Sequence, residues 1–204
     1  TCIVLGLSEM ERGIARLYDG DIVRGVKNIG PYLTPSDNTI VVKSNKQICD
    51  LPLMVSGNKA TDGGNLILSK QEVERLLGSH PISARWIKKL EGAKEFIRGE
   101  ARCCLWIPDG EHAEAEAVPD IRERIVEVYK ARSESRGKQA NEAAAFPHRF
   151  VYAPHKAGAS LLIPSVSSER REFLPCGYFD DRSVIVAPNL VMYGAPLWCM
   201  ALIL

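Results

Sequence analysis

Residues 119–132 constrain the fold more than any other stretch of the sequence. Pro119 suits the first position of a helix, and Ile121, Ile125, Val128 and Tyr129 then recur at helical spacing on one face. A helix with one apolar stripe must lie on something apolar, and most other apolar segments are short and strand-like. They are Ile3–Leu7, Ile22–Val26, Thr39–Lys43, Arg102–Ile107, Arg149–Tyr152, Ser160–Ile163, Phe173–Tyr178, Ser183–Ala187 and the C-terminal run Leu197–Leu204. A second helix has clear start chemistry. Ser69 stands three before Glu72 as a capping box, Leu68 and Val73 can form the hydrophobic staple, and Gly78 ends the segment. Trp86, Leu90, Ala93 and Ile97 suggest a third helix near Ile82–Ile97, bent or broken at Gly92. Helices and strands neither alternate nor separate into blocks. This predicts an α+β fold with a mixed or antiparallel sheet and about three helices.

With 204 residues, of which 46% are hydrophobic, the chain can bury a sizeable core as a single domain over 1–204. Both ends read as internal to a longer chain: an apolar run opens the sequence at Cys2 without an initiator Met, and another closes it. Leu197–Leu204 is too short to cross a bilayer, so no membrane partner is expected, and no signal peptide precedes it. Six cysteines, at positions 2, 49, 103, 104, 176 and 199, form no CxxC pair, and zinc-ligand spacing is absent. They read as reduced, mostly buried thiols of a cytoplasmic protein. Trp86, Trp106 and Trp198 sit in apolar stripes and are expected in the core.

The net charge is +1, from 26 Lys and Arg against 25 Asp and Glu. A free-standing nucleic-acid binder is usually more basic, so any DNA contact must come from a local patch. The strongest is Lys130–Lys156. There Lys130, Arg132, Arg136, Lys138, Arg149 and Lys156 face only Glu134 and Glu142, a local charge of +4, with His148 and His155 added. Arg132 and Arg136, four apart, would share a helical face. Such a helix end could bind phosphates by displacing counterions; from charge alone a solvated helix end explains it better. Ser167-Ser168-Glu169-Arg170-Arg171 offers hydroxyls and guanidiniums for phosphates, with Glu169 orienting one Arg, or a turn capped by Ser168; the sequence leaves these even. Gly63-Gly64-Asn65 lacks P-loop spacing and reads as a tight turn entering a strand, and Lys59 could add a phosphate contact or simply cover apolar surface. Glu111–Glu116 reads as a surface loop. A Ser–His–Asp elbow and a metal-binding cluster are both missing, so no catalytic residue, cofactor site or metal site is expected in this chain.

One ordered set of short motifs is more specific than any of its members. It runs Asn28-Ile29-Gly30-Pro31-Tyr32-Leu33, Gly57-Asn58-Lys59, Asp62-Gly63-Gly64-Asn65-Leu66, Gly92-Ala93-Lys94-Glu95-Phe96-Ile97, Cys104-Leu105-Trp106 and Ser167-Ser168-Glu169-Arg170-Arg171. The series resembles the target-recognition region of MmeI-like type II (type IIG/IIL) restriction–modification methyltransferases. The resemblance implies a parent that moves a methyl group from S-adenosylmethionine to adenine N6 in duplex DNA, with a methyltransferase domain preceding this region. The family's glycine motif for that cofactor, its Asn-Pro-Pro-aromatic motif and a Pro-Asp…Glu-x-Lys nuclease motif are not in this sequence. The implied role is therefore DNA reading in the major groove, with double-stranded DNA and the methyltransferase domain as partners. Candidate DNA contacts are Lys59, Arg132, Arg136, Lys138, Arg149, Lys156, Ser167, Ser168, Arg170 and Arg171. His148–Tyr152 departs from the family's pattern. The rival expectation is an internal scaffold that packs the methyltransferase domain without reading bases.

Overall fold

The computed structural model describes residues 4–6, 9, 13–44, 50–168 and 170–204. Where the sequence reads as one domain, the chain divides into two compact units, Thr1–Ile48 and Cys49–Leu204. In the first, β1 (Ala15–Asp19) and β2 (Ile22–Val26) pair antiparallel, with Asp19 opposite Ile22. Gly20 at φ 58° supplies the left-handed residue that a two-residue hairpin turn needs. The Asn28–Leu33 motif is closed locally, since Asn28 Nδ2 donates to the Ser36 carbonyl at 2.7 Å and to Asn38 Oδ1 at 2.8 Å. Of the strand expected over Ile3–Leu7, only Val4–Gly6 are described; they are exposed and form no regular element. Thr39–Lys43, also expected as a strand, is irregular and exposed.

The second unit holds two four-stranded sheets. One contains β3 (Met54–Ser56), β7 (Ser160–Ile163), β8 (Gly177–Phe179) and β10 (Leu190–Tyr193), in the order β3-β10-β7-β8 and fully antiparallel. The other contains β4 (Ile67–Ser69), β5 (Ile87–Glu91), β6 (Arg102–Leu105) and β9 (Ser183–Ile185), in the order β4-β6-β5-β9. Its β5–β9 pair is parallel and the others are antiparallel, so the fold is α+β, as the sequence predicts, and of the two alternatives left open for the sheet one is met by each sheet.

The helices are α1 (Lys70–Ser79), α2 (Ala93–Arg98), α3 (His112–Glu116), α4 (Pro119–Ser133), α5 (Lys138–Glu142) and α6 (Trp198–Ile203). That is six among the described residues rather than about three, because the sequence shows only the longer ones clearly. The stripe of α4 packs as expected. Ile121, Ile125 and Val128 are buried in one core with Leu66, Leu68, Leu90, Leu105 and Trp86, whereas Tyr129 is exposed. Smaller cores cover the first sheet, around Leu161, Ile163, Met192 and Cys199 on one side and Leu162, Ile185 and Val191 on the other.

Several expectations give way to tertiary pairing. Pro81–Trp86 is a 3-10 turn and Ile87–Glu91 becomes β5, so the helix expected near Ile82–Ile97 survives only as α2. Leu90 still reaches the core, but from a strand held between β6 and β9. The C-terminal run is α6 rather than a strand; a short apolar segment with one β-branched residue does not declare its type by periodicity. Trp198 in it is 55% exposed, against the expected core position, while Trp86 is buried and Trp106 half-buried. Glu111–Glu116 folds as a 3-10 turn and α3, with Glu111 accepting from Trp86 Nε1. Arg149–Tyr152 contributes a single β-bridge, Tyr152 to Lys59. Of the cysteines, 2 and 49 lie outside the described residues; Cys104, Cys176 and Cys199 are buried free thiols, Cys103 is half-buried, and burial pushes the Cys104 thiol well up.

The capping box is formed in full. Glu72 N donates to Ser69 Oγ at 3.3 Å and Ser69 N donates to Glu72 Oε2 at 2.8 Å. Glu72 also pairs with Arg124 of α4, which ties the start of α1 to that helix. Hydrogen bonds from the Ser69 amide and hydroxyl, then from Arg124, hold the Glu72 carboxyl down to about 2 from the ordinary 4.5. The folded state therefore releases this proton more readily than the unfolded chain. Its stabilisation is complete above pH 4.5 and disappears as pH falls towards 2. Glu72→Gln should flatten the stability–pH curve in that window in acid-titrated urea melts; an unchanged curve would show that the box does not carry the acid sensitivity.

Candidate nucleic-acid interface

Arg132, in the last turn of α4, is 1% exposed and spends every guanidinium N–H on a backbone carbonyl. Nε donates to Thr61 at 2.9 Å; one terminal nitrogen donates to Ala143 at 3.1 Å and Phe146 at 2.9 Å; the other donates to Ala60 at 2.8 Å and Arg149 at 2.7 Å. Burial pushes its pKa down, and the nearby Asp62 carboxylate opposes that. This corrects the expectation of a DNA contact: the guanidinium is a clamp between residues 60–61 and 143–149. The shared helical face with Arg136 is absent as well, because α4 ends at Ser133 and Arg136 lies in the bend before α5.

Asn58 is the second fixed point. Its side chain donates to the Ile185 carbonyl at 2.7 Å and the Tyr193 hydroxyl at 3.1 Å, and accepts from His155 N at 3.2 Å. Its backbone bridges Val186 in parallel, so the chain passes from β3 in one sheet to the edge of β9 in the other at this residue. Gly57 makes that passage possible, since a Cβ there would lie 2.6 Å from the Val186 carbonyl carbon. Lys59 follows directly and pairs with Tyr152, donating from N to O at 2.9 Å and accepting at 3.2 Å. The Gly63-Gly64 turn forms as expected, at φ 63° and 90°, and Asp62 Oδ2 accepts from Leu66 N at 2.5 Å to close it.

These two hubs bring Lys59, Arg149 and Lys156 to neighbouring backbone positions, all exposed, although 90 residues and more separate Lys59 from the others. They also add residues that the sequence did not single out. Lys88 Nζ lies 3.0 Å from His155 Nε2 and donates to the Asp181 carbonyl at 2.9 Å. An ammonium only donates, so His155 Nε2 accepts and the ring is neutral; burial and then the Lys88 charge push its pKa down. Asp109 is the other addition. Its carboxylate binds His148 Nε2 at 2.9 Å and a terminal nitrogen of Arg149 at 2.8 Å. Both were hidden in the sequence: Lys88 in a segment read as helix, and Asp109 in a Pro-Asp-Gly turn.

The remaining candidates sit elsewhere on the surface. Lys138 opens α5, exposed, with its ammonium 3.9 Å from Glu142. Ser167, Ser168, Arg170 and Arg171 are exposed on the connection from β7 to β8. Arg170 N donates to Ser168 Oγ at 3.3 Å and Arg171 N to the Ser168 carbonyl at 3.0 Å, so Ser168 caps a turn there. The expected pairing of Glu169 lies outside the described residues. Among the described residues no helix is long and apolar enough to cross a membrane, and no His, Cys, Asp and Glu group forms a metal site.

Arg132→Met keeps the apolar stem and removes the donors from all of these carbonyls. Urea denaturation should show a loss of about 3–5 kcal/mol, the range for leaving buried polar partners uncompensated. A loss under about 1 kcal/mol would mean that the clamp does not hold the loops.

The comparisons with known proteins agree with one another. The family described as MmeI, target recognition domain, matches residues 35–204. DNA methyltransferase A of Bacillus subtilis (strain 168) is 30% identical over 203 residues, which cover 99% of this chain and 23% of that protein. A solved structure of the type IIL restriction–modification enzyme MmeI in complex with DNA has 31% sequence identity and a TM-score of 0.79, covering 93% of this chain and 26% of that one. The chain thus spans about a quarter of the length of each of these relatives. With the match extending over 35–204 and the mixed α+β fold shared, the chain belongs to the MmeI target recognition domain family.

Proposed function

We propose that this chain reads the base sequence of double-stranded DNA for an adenine-N6 methyltransferase of a bacterial type II restriction–modification system, and transfers no methyl group itself. The family assignment over residues 35–204 carries this reading, and the likeness to an enzyme solved with DNA supports it. The surface is suited to the task. Lys59, Lys156, Arg170 and Arg171 are exposed cations without an ion-pair partner among the described residues, so counterions are theirs to release to a phosphate backbone. Ser167, Ser168, Arg136, Lys138 and Arg149 supply further exposed donors. On this reading S-adenosylmethionine and the chemistry belong to a methyltransferase domain of the same protein, and both act in the cytoplasm. This chain has neither the Asn-Pro-Pro-aromatic motif nor the glycine motif of such a domain. A second reading, a scaffold that packs that domain, is favoured by the exposed apolar residues Leu197, Trp198 and Leu202 at α6, which are 63%, 55% and 68% exposed.

Charge reversal at Lys59 and Lys156 in the full-length protein separates the two. If the chain holds DNA, duplex affinity should fall by about tenfold or more, and the slope of log affinity against log salt should become shallower by up to about two. Unchanged affinity and slope would move these residues out of the footprint and favour the scaffold.

A further inference from the structure

Arg149 is held more firmly than an exposed side chain needs to be. Its side chain is 43% exposed, yet one terminal nitrogen donates to Asp109 Oδ2 at 2.8 Å, and its Cζ lies 4.3 Å from the centre of the Phe146 ring. Arg132 grips its backbone carbonyl from below. Asp109 is fixed in turn: Oδ1 binds His148 Nε2 at 2.9 Å, and the buried His148 ring stacks on His112 at 4.9 Å. The hydrogen bond from His148, and then the Arg149 charge, keep the Asp109 carboxyl below the usual carboxylate range, so the brace stays ionised. Cavities of about 190 Å³ and 230 Å³ open beside Arg149, which contributes to the walls of both.

The edge formed by Nε and the other terminal nitrogen makes no hydrogen bond among the described residues. That edge carries two parallel N–H donors, the geometry that matches O6 and N7 of guanine in the major groove. Charge decides between a base and a phosphate as its target. A phosphate contact gains from an unpaired cation, whereas Asp109 neutralises this one and would itself repel a phosphate. A bidentate base contact gains instead from a guanidinium whose rotamer is already fixed by pairing and stacking.

We propose that Arg149 reads one guanine of the target sequence through this free edge, and that Asp109 and Phe146 are positioning residues that hold it in the reading geometry. The proposal rests on the DNA-reading function above and adds the base and the bracing pair.

The test is selection of bound duplexes from a randomised library by the full-length protein, comparing wild type with Arg149→Lys and Asp109→Ala. Arg149→Lys keeps the charge but loses the fork. It should make one guanine position of the selected site degenerate, a loss of about tenfold or more in discrimination there. Asp109→Ala should weaken the same position to a smaller extent. In Arg149→Lys the other positions and the salt slope should not move, and a purely structural role would leave the base preference intact. A selected site that is the same in Arg149→Lys overturns the proposal. So does an equal loss for all sequences with a shallower salt slope, which marks a phosphate contact. A lower melting temperature with unchanged base preference overturns it too. Wild-type protein that selects no sequence at all overturns the DNA-reading function itself, and this proposal with it.

Discussion

A single buried guanidinium holds the surface loops of this domain in place. Arg132 reaches from the end of α4 and bonds carbonyls from two separate stretches, 60–61 and 143–149. Backbone carbonyls taken from water must find donors, and connections of this kind are normally left on the surface for that reason. One Arg with five donors in a rigid fork satisfies a whole cluster of them at once. A lysine has three donors around a point charge and could not span both stretches. Because α4 is anchored by Ile121, Ile125 and Val128 in the main core, the loops inherit the rigidity of that core.

The Gly57–Asn58 step does for the two sheets what Arg132 does for the loops. The backbone approaches Val186 too closely for any side chain at position 57, and the Asn58 amide then bonds groups from β9, from β10 and from the loop at His155. Lys59 emerges from this joint at a defined point. Exposed Arg and Lys residues therefore stand on a frame that is fixed beneath them, which suits sequence reading, where a displacement of a side chain by an ångström loses a base contact. The near-neutral net charge fits the same picture. On the proposed function, attraction to phosphates would come from a few placed cations rather than from a generally basic surface; several other cations are spent on internal pairs, as Arg85 is on Glu111 and Glu114.

Much of the local structure was legible from residue order. The capping box at Ser69–Glu72, the Pro119 helix start, the Gly63-Gly64 turn and the strand at Ser160–Ile163 formed as read, because each is decided by atoms a few residues apart. The segment from Pro81 to Arg98 was not legible. Trp86 and Leu90 have helical spacing, yet hydrogen bonds offered by β6 and β9 make the stretch Ile87–Glu91 a strand. The candidate interface was legible only as a group of basic residues, and not in the surroundings of each member. Arg132 and Arg149 look alike in a charge count; one is enclosed and fully bonded, and the other is exposed beside Asp109.

The sequence by itself determined the family, the α+β class, the positions of the longer helices and the stretch in which exposed cations collect. These depend on motif order, periodicity and local capping, all of which are written along the chain. Tertiary structure alone decided which cations are free, which are clamps and which are braced. Those outcomes depend on burial and on partners brought in from distant positions: Ala60 and Thr61 for Arg132, Lys88 for His155, and Asp109 for Arg149. The energy of a charge is set by what surrounds it in space, and neighbours in sequence do not reveal that.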